Sequence, residues 1–321
     1  MNKWINFYHP STVVFVDDQK EFLDALQYRL SKNLISEFFT NPFSALNFIK
    51  ANNGLTDIYK NLNLVGTDVS EIDLQERDVL TSFHLDEICK IVYNQERFNI
   101  QSVLVVDFMM PEIDGISFCK ELKKYPIKKI LLTAQTDHKL ATNAFNEGLI
   151  DYFLIKEEGI INKLLQVIEK LQNSFFSSLP SNVLLDILPS IDKDSIADFY
   201  QKIISDFNVR EFYLLDRCGS ILMITKENKI LTLVISTAED LDDYASIAED
   251  HENESIADIL RSRKKILYFP QASDRLYPVA DWNRFLFQST AIPHQKNMYY
   301  SIIKQAEFQP IDLARIEHCK K

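Results

Sequence analysis

Ser102-Val-Leu-Val-Val-Asp-Phe-Met-Met-Pro-Glu-Ile-Asp-Gly115 opens with a run, Ser102 to Val106, that is almost wholly Val and Leu. An unbroken apolar run of this length predicts a strand buried on both faces of a parallel sheet. It ends abruptly in the carboxylate of Asp107. In open α/β sheets, ligands bind outside the carboxyl ends of the strands. Pro111 and Gly115 then mark a loop, and a helical pattern resumes from Ile116 to Lys124. A charge at the tip of a core strand is half out of water and needs a partner, usually a metal or a cation.

Three other stretches end in the same way. Thr12-Val-Val-Phe-Val-Asp-Asp18 stops at two adjacent carboxylates, Lys129-Ile-Leu-Leu-Thr133 at a hydroxyl, and Tyr152-Phe-Leu-Ile-Lys156 at an amine. With helical stretches between them, as parallel crossovers require, these strands bring Asp17, Asp18, Asp107, Thr133 and Lys156 to one edge of a sheet.

This constellation resembles the receiver domain of two-component response regulators. The resemblance covers residues 11 to about 170 and implies a doubly wound, flavodoxin-like α/β fold with a five-stranded parallel sheet. It further implies that Asp107 is the phospho-acceptor and that Asp17, Asp18 and Asp107 hold Mg²⁺, with the backbone carbonyl of Met109 completing the protein ligands. Thr133 and Lys156 would bind the phosphoryl group, and Phe153 would be the aromatic switch residue. A sensor histidine kinase would be the partner.

The chemistry of the residues agrees. Three carboxylates within about 4–5 Å repel one another by a few kcal/mol per pair at an effective dielectric of about 20. A hard divalent cation relieves that repulsion, and Mg²⁺ suits a site of few carboxylates, phosphate oxygens and retained waters. Asp107 then reads as a nucleophile that forms an acyl phosphate. The receiver would catalyse its own phosphotransfer and dephosphorylation. Two departures from the family pattern stand out. Glu157 follows Lys156 where proline is usual, and Met109 and Gln135 occupy the positions that tune loss of the phosphoryl group.

The chain has 321 residues, enough for two domains, and a net charge of −11 that disfavours broad contact with nucleic acid or anionic membranes. No run approaches the ~20 apolar residues of a membrane span, so membrane insertion is not expected. Cys89, Cys119, Cys218 and Cys319 lack metal-ligand spacing and read as free thiols in a reducing cytoplasm.

Outward from the strands, Lys20 to Ser31 predicts a helix with Phe22, Leu23, Leu26 and Leu30 inward. Ile35 to Phe39 is a second strand, and Asn41-Pro42 opens a second helix. Residues 52–101 form an insertion before the Ser102 strand. It contains a helical pattern from Leu85 to Gln95, read as an elaborated connection or as a docking surface. The next helix runs from Asp137 to Gly148 with Leu140, Ala144 and Phe145 on one face. The last, from Ile160, carries an apolar stripe to Phe175 whose end reads as a linker or dimer seam. The expected division is a receiver at 1–170, a helical linker at 171–182 and an output domain at 183–321.

The second half shows runs of strands with clustered helices, which predicts an α+β domain with a mainly antiparallel sheet. It has helices at Val183–Leu188 and Asp194–Phe207, a hairpin Glu211–Asp216 and Ile221–Thr225, and further strands at Ile230, Lys265 and Met298. Arg261, Arg263, Lys264 and Lys265 read as a helix C-terminus, Asp240, Asp242 and Asp243 as a solvated helix start, and Trp282, Phe285, Phe287 and Tyr299 as core. Phrases such as Ala144-Phe-Asn-Glu-Gly-Leu-Ile-Asp151 and Tyr213-Leu-Leu-Asp-Arg-Cys-Gly-Ser220 resemble response regulators with a long receiver insertion, a quorum-sensing regulator among them. The expected function is phosphorylation-controlled signalling through homodimerisation or an output partner. A nucleotide-binding or enzymatic output domain and an atypical DNA-binding regulator are the alternatives.

Overall fold

The computed structural model describes residues 7–30, 34–52, 85, 88–134, 138–178, 193–216, 218–270, 277–312 and 315–316. They form two compact units. The first holds the described residues within 9–52 and 95–178, and the second holds those within 7–8, 85–94 and 193–316.

A two-residue strand, β1 (Phe7–Tyr8), belongs to the second unit. The first unit then runs β2 (Thr12–Val16), α1 (Lys20–Leu30), β3 (Ser36–Phe39), α2 (Pro42–Ala51), β4 (Gln101–Asp107), α3 (Gly115–Glu121), β5 (Lys128–Thr133), α4 (His138–Asn146), β6 (Tyr152–Ile155) and α5 (Ile160–Ser178). Its sheet has the order β3-β2-β4-β5-β6, and every pairing is parallel. All seven residues of β4 are buried, which is why its sequence is apolar without alternation. Val103 and Val105 pack with α1 and α5, while Leu104 and Val106 pack with α2, α3 and α4.

The helix starts follow local chemistry. Asn41 caps α2 by accepting the Ser44 N–H at 2.9 Å, with Pro42 in the first turn, and Asp114 caps α3 by accepting the Ser117 N–H at 2.9 Å. At the amino ends of β2 and β4 lies a buried polar cluster. Ser11 Oγ and Ser102 Oγ are 2.7 Å apart, Gln172 Nε2 donates to Ser11 Oγ at 3.1 Å, and Thr12 Oγ1 donates to the Phe98 carbonyl at 2.7 Å. Each of these buried groups has a partner, so their burial carries no orphan penalty.

Two details of this unit differ from the sequence expectation. On α4 the buried residues are Ala141 and Ala144, whereas Leu140 and Phe145 are 51% and 47% exposed. Small side chains let α4 approach the sheet closely and turn the large ones out. On α5, Leu171, Phe175 and Phe176 are buried, so the end of the stripe is not an open seam. Residues 179–192, including the expected helix at Val183–Leu188, lie outside the described residues.

The second unit continues with α6 (Lys193–Asp206), β7 (Val209–Leu214), β8 (Ile221–Thr225), β9 (Ile230–Thr237), α7 (Ala238–Asp250), α8 (Glu254–Arg261), β10 (Lys265–Leu267), a 3₁₀ segment Val279–Phe285, β11 (Leu286–Gln288), β12 (Thr290–Ala291) and β13 (Met298–Ile303). Among the described residues, β1-β7-β8-β9-β13-β12 form one antiparallel sheet, and β10 and β11 form a separate pair. α6 packs on one face through Ile196, Phe199 and Tyr200. α7 and α8 cover the other with Leu241, Ile256 and Leu260, joined by Trp282 of the 3₁₀ segment. Thr237 and Asp240 form a capping box at α7.

The sequence reading leaves Phe7 and Tyr8 with the first half. Their pairing is with Tyr213 and Phe212 of β7. The insertion also has partners in the second unit. Ile88 to Val92 is helical, the Tyr93 hydroxyl accepts the Asp312 N–H at 2.9 Å, and the Arg315 guanidinium lies 4.4 Å from the centre of the Tyr93 ring.

Candidate functional site

The sheet register builds the site. Val16 pairs with Val106, so the next residues, Asp17 and Asp107, emerge side by side. Asp107 lies level with Leu132, and Thr133 with Ile155, which carries Lys156 to the same edge. The first unit thus unites the five strand-end residues predicted from sequence. One carboxylate oxygen from each of Asp17, Asp18 and Asp107 lies within 4.8 Å of the others. Asp17 and Asp107 are buried and Asp18 is exposed.

Lys156 Nζ bridges the two buried acids, 2.7 Å from Asp17 Oδ2 and 2.7 Å from Asp107 Oδ1. The remaining oxygens take backbone donors. The Gln19 N–H donates to Asp17 Oδ1 at 2.9 Å, and the Met109 N–H donates to Asp107 Oδ2 at 3.1 Å. Burial pushes the Asp107 carboxyl above its ordinary range, against the lowering effect of Lys156. Burial pulls the Lys156 ammonium down, but its hydrogen bonds to Asp107 and Asp17, together with their charges, reverse this and raise it, so it stays protonated. An electrostatic deficit therefore remains at Asp107, and a divalent cation would answer it.

The other site residues are nearby in different states. The buried Thr133 hydroxyl donates to the Ala134 carbonyl at 3.1 Å. Met109 is 66% exposed. Phe153 is half-buried, its ring edge-to-face with exposed Phe145 at 6.5 Å. Gln135 lies outside the described residues. Gly115 closes the loop after β4 with its N–H on the Phe108 carbonyl at 2.9 Å. A Cβ there would collide with the Asp107 carbonyl and come 2.8 Å from Leu131 Cδ1, so glycine is needed for close approach.

Sequence reasoning missed one participant. Phe22, read only as part of the α1 core face, has its ring centre 4.7 Å from Lys156 Nζ. The signal available was position, the first turn of α1 immediately after Asp17 and Asp18. In the second unit the polar candidates have structural roles. Arg261 pairs with Glu249, Arg263 pairs with Asp242 at 2.6 Å, and Asp240 caps α7. Trp282 is buried and donates to the Tyr277 carbonyl. Among the described residues, no helix is long and apolar enough to cross a membrane.

Fold and site together define a receiver: the family model of the response regulator receiver domain matches residues 79–169. The likeness extends over nearly the whole chain to the Legionella pneumophila response regulator LqsR, at 30% identity and a TM-score of 0.74, covering 98% of this chain and 94% of that one. The chain belongs to the response regulator family. The DNA-binding transcriptional regulator NtrC of Proteus hauseri is 29% identical over 110 residues, which is 34% of this chain and only 22% of that regulator's length.

Proposed function

We propose that the protein is a phosphorylation-switched response regulator in which Asp107 takes a phosphoryl group from a sensor histidine kinase in a Mg²⁺-dependent reaction. One observation carries this reading: three carboxylates converge within 4.8 Å at strand ends, with Lys156 bridging the two buried ones. An oxygen-only donor set of this kind fits Mg²⁺, held by Asp17, Asp18, Asp107 and the backbone carbonyl of Met109. When bound, the ion neutralises the oxygens of the incoming phosphoryl group.

The chain's own residues do the rest. The Met109 N–H fixes the Asp107 carboxylate, whose oxygen bonds to phosphorus as the P–N bond of the phosphohistidine breaks and its electron pair leaves on the imidazole. Phosphorylation adds a charge of about −1.5 to −2. Lys156 and the Thr133 hydroxyl, the latter turning from the Ala134 carbonyl, then bind the phosphoryl oxygens. Hydrogen bonds to charged groups are worth ~1.5–3 kcal/mol each, and a swing from 1:99 to 99:1 takes about 5.5 kcal/mol. Two or three such bonds approach that figure. Phe153 follows Thr133 as the aromatic reporter of the switch, and Gln135 orients the water that removes the phosphate. A quorum signal sensed by the kinase is the input that the resemblance implies.

Incubation with acetyl phosphate and Mg²⁺ is expected to add one phosphoryl group, mapped to Asp107. Failure of uptake in the presence of Mg²⁺ overturns the reading.

The output we favour is homodimerisation. Leu140 and Phe145 present apolar surface on α4, and the Phe145 ring lies against Phe153, so movement of the switch residue would alter it. Beryllofluoride with Mg²⁺ is expected to double the mass measured by light scattering, and Leu140→Glu to prevent this. An unchanged wild-type mass removes the dimer from the proposal. Given the net charge of −11 and the ion-paired arginines of the second unit, a DNA-binding output is the weaker alternative. A nucleotide-binding or enzymatic output has no specific residue in its favour among the described residues.

A further inference from the structure

We infer that Phe22 is a positioning residue for this pocket: its ring holds the Lys156 ammonium against Asp17 and Asp107 and so sets how readily a divalent cation enters. The inference rests on the metal-dependent reading above and adds a control element to it.

A lysine head on a four-carbon stem is mobile unless several contacts fix it. Lys156 Nζ has three: one oxygen of each buried acid at 2.7 Å and the Phe22 ring centre at 4.7 Å. A cation within about 6 Å of a ring centroid is attracted by the ring quadrupole, more strongly where water is excluded. Here the lysine side chain is 23% exposed and Phe22 is half-buried. The ring is itself well placed. The Phe22 backbone N–H donates to the Gln19 carbonyl at 3.1 Å, and its side chain packs against the Leu23, Leu26 and Phe15 cluster. Gln19 in turn donates to Asp17 Oδ1. One short turn therefore orients both an acid and the ring that faces the lysine.

The consequence follows from counting donors on the carboxylates. Each of the four oxygens of Asp17 and Asp107 already accepts one hydrogen bond, two from backbone N–H groups and two from Lys156. Each retains lone-pair capacity for a metal, but an incoming cation meets the positive charge of Lys156. The more firmly Phe22 holds that charge in place, the weaker cation binding becomes. When the ring's hold is released, the lysine can lean away and the acids are freed.

The test is isothermal titration of Mg²⁺ alone into the full chain, with melting temperature in chelator recorded for each variant. Phe22→Leu is expected to bind Mg²⁺ about threefold to tenfold more tightly than wild type, the range that a partly buried cation–π contact represents. Replacing Phe22 by phenylalanines of increasing ring fluorination keeps the volume nearly constant, so this series carries the test even if the leucine variant fails to fold. Mg²⁺ affinity should rise stepwise along it, an ordering that a purely structural role would not produce. Equal affinities across wild type and the fluorinated series overturn the role of Phe22 alone. No Mg²⁺ binding by wild type overturns the metal-dependent reading together with it.

Discussion

In a chelating buffer at neutral pH, Asp107→Asn melts measurably higher than wild type. The cause is the burial of a charge. Burial raises the Asp107 carboxyl above the ordinary 3.8 in the folded chain. The folded state therefore binds more protons than the unfolded state between 3.8 and the raised value, and stability falls as pH rises through that window. Above that window the penalty is fully present, and an amide of the same shape removes it. Lys156 loses one of its two acids but keeps Asp17, which offsets part of the gain. Mg²⁺ should reverse the order of stability: at 100 times its dissociation constant it adds ~2.7 kcal/mol to whichever protein binds it, and the variant lacks a central ligand. Differential scanning calorimetry with and without Mg²⁺ reads both effects. A variant that melts at or below wild type in chelator shows that the charge at Asp107 carries no such cost.

Residues 183–321 expressed alone do not form the second unit. That unit includes Phe7 and Tyr8, which cover β7, and the stretch 88–94. Phe7, Ile88, Ile91 and Val92 are all at most 3% exposed. Burying a side chain of this kind contributes ~1.5–3 kcal/mol, so losing several approaches the ~5–15 kcal/mol that a whole domain possesses. Removing Tyr93 also takes away the acceptor of the Asp312 N–H and the ring facing Arg315. The fragment is expected to lack cooperative thermal unfolding by circular dichroism. Restoring residues 7–8 and 85–94 on tethers is expected to recover it. A sharp melt from the bare fragment sinks this account.

The site was legible because its determinants are local. An apolar run ending in Asp107 needs no distant information to be recognised as a core strand with a charged tip, and four such tips in sequence imply a shared edge. What escaped was set by long-range pairing. Phe7 and Tyr8 are too short a pair to show any period, and their partner lies in β7. The ownership of the insertion rests on Tyr93 and Asp312, 219 positions apart. On α4, helical periodicity marks two candidate stripes, and only the closeness of the sheet selects Ala141 and Ala144 over Leu140 and Phe145. Phe22 was visible as an apolar residue, but its ring's distance from Lys156 depends on α1 and β6 meeting in space.

The six-stranded sheet of the second unit ends on both sides, among the described residues, in strands of two residues, Phe7–Tyr8 and Thr290–Ala291. Strands this short offer few backbone groups of their own to a foreign chain. Each covers only two residues of the six-residue strand beside it, so the rest of that outer edge of β7 and β13 has no strand partner among the described residues.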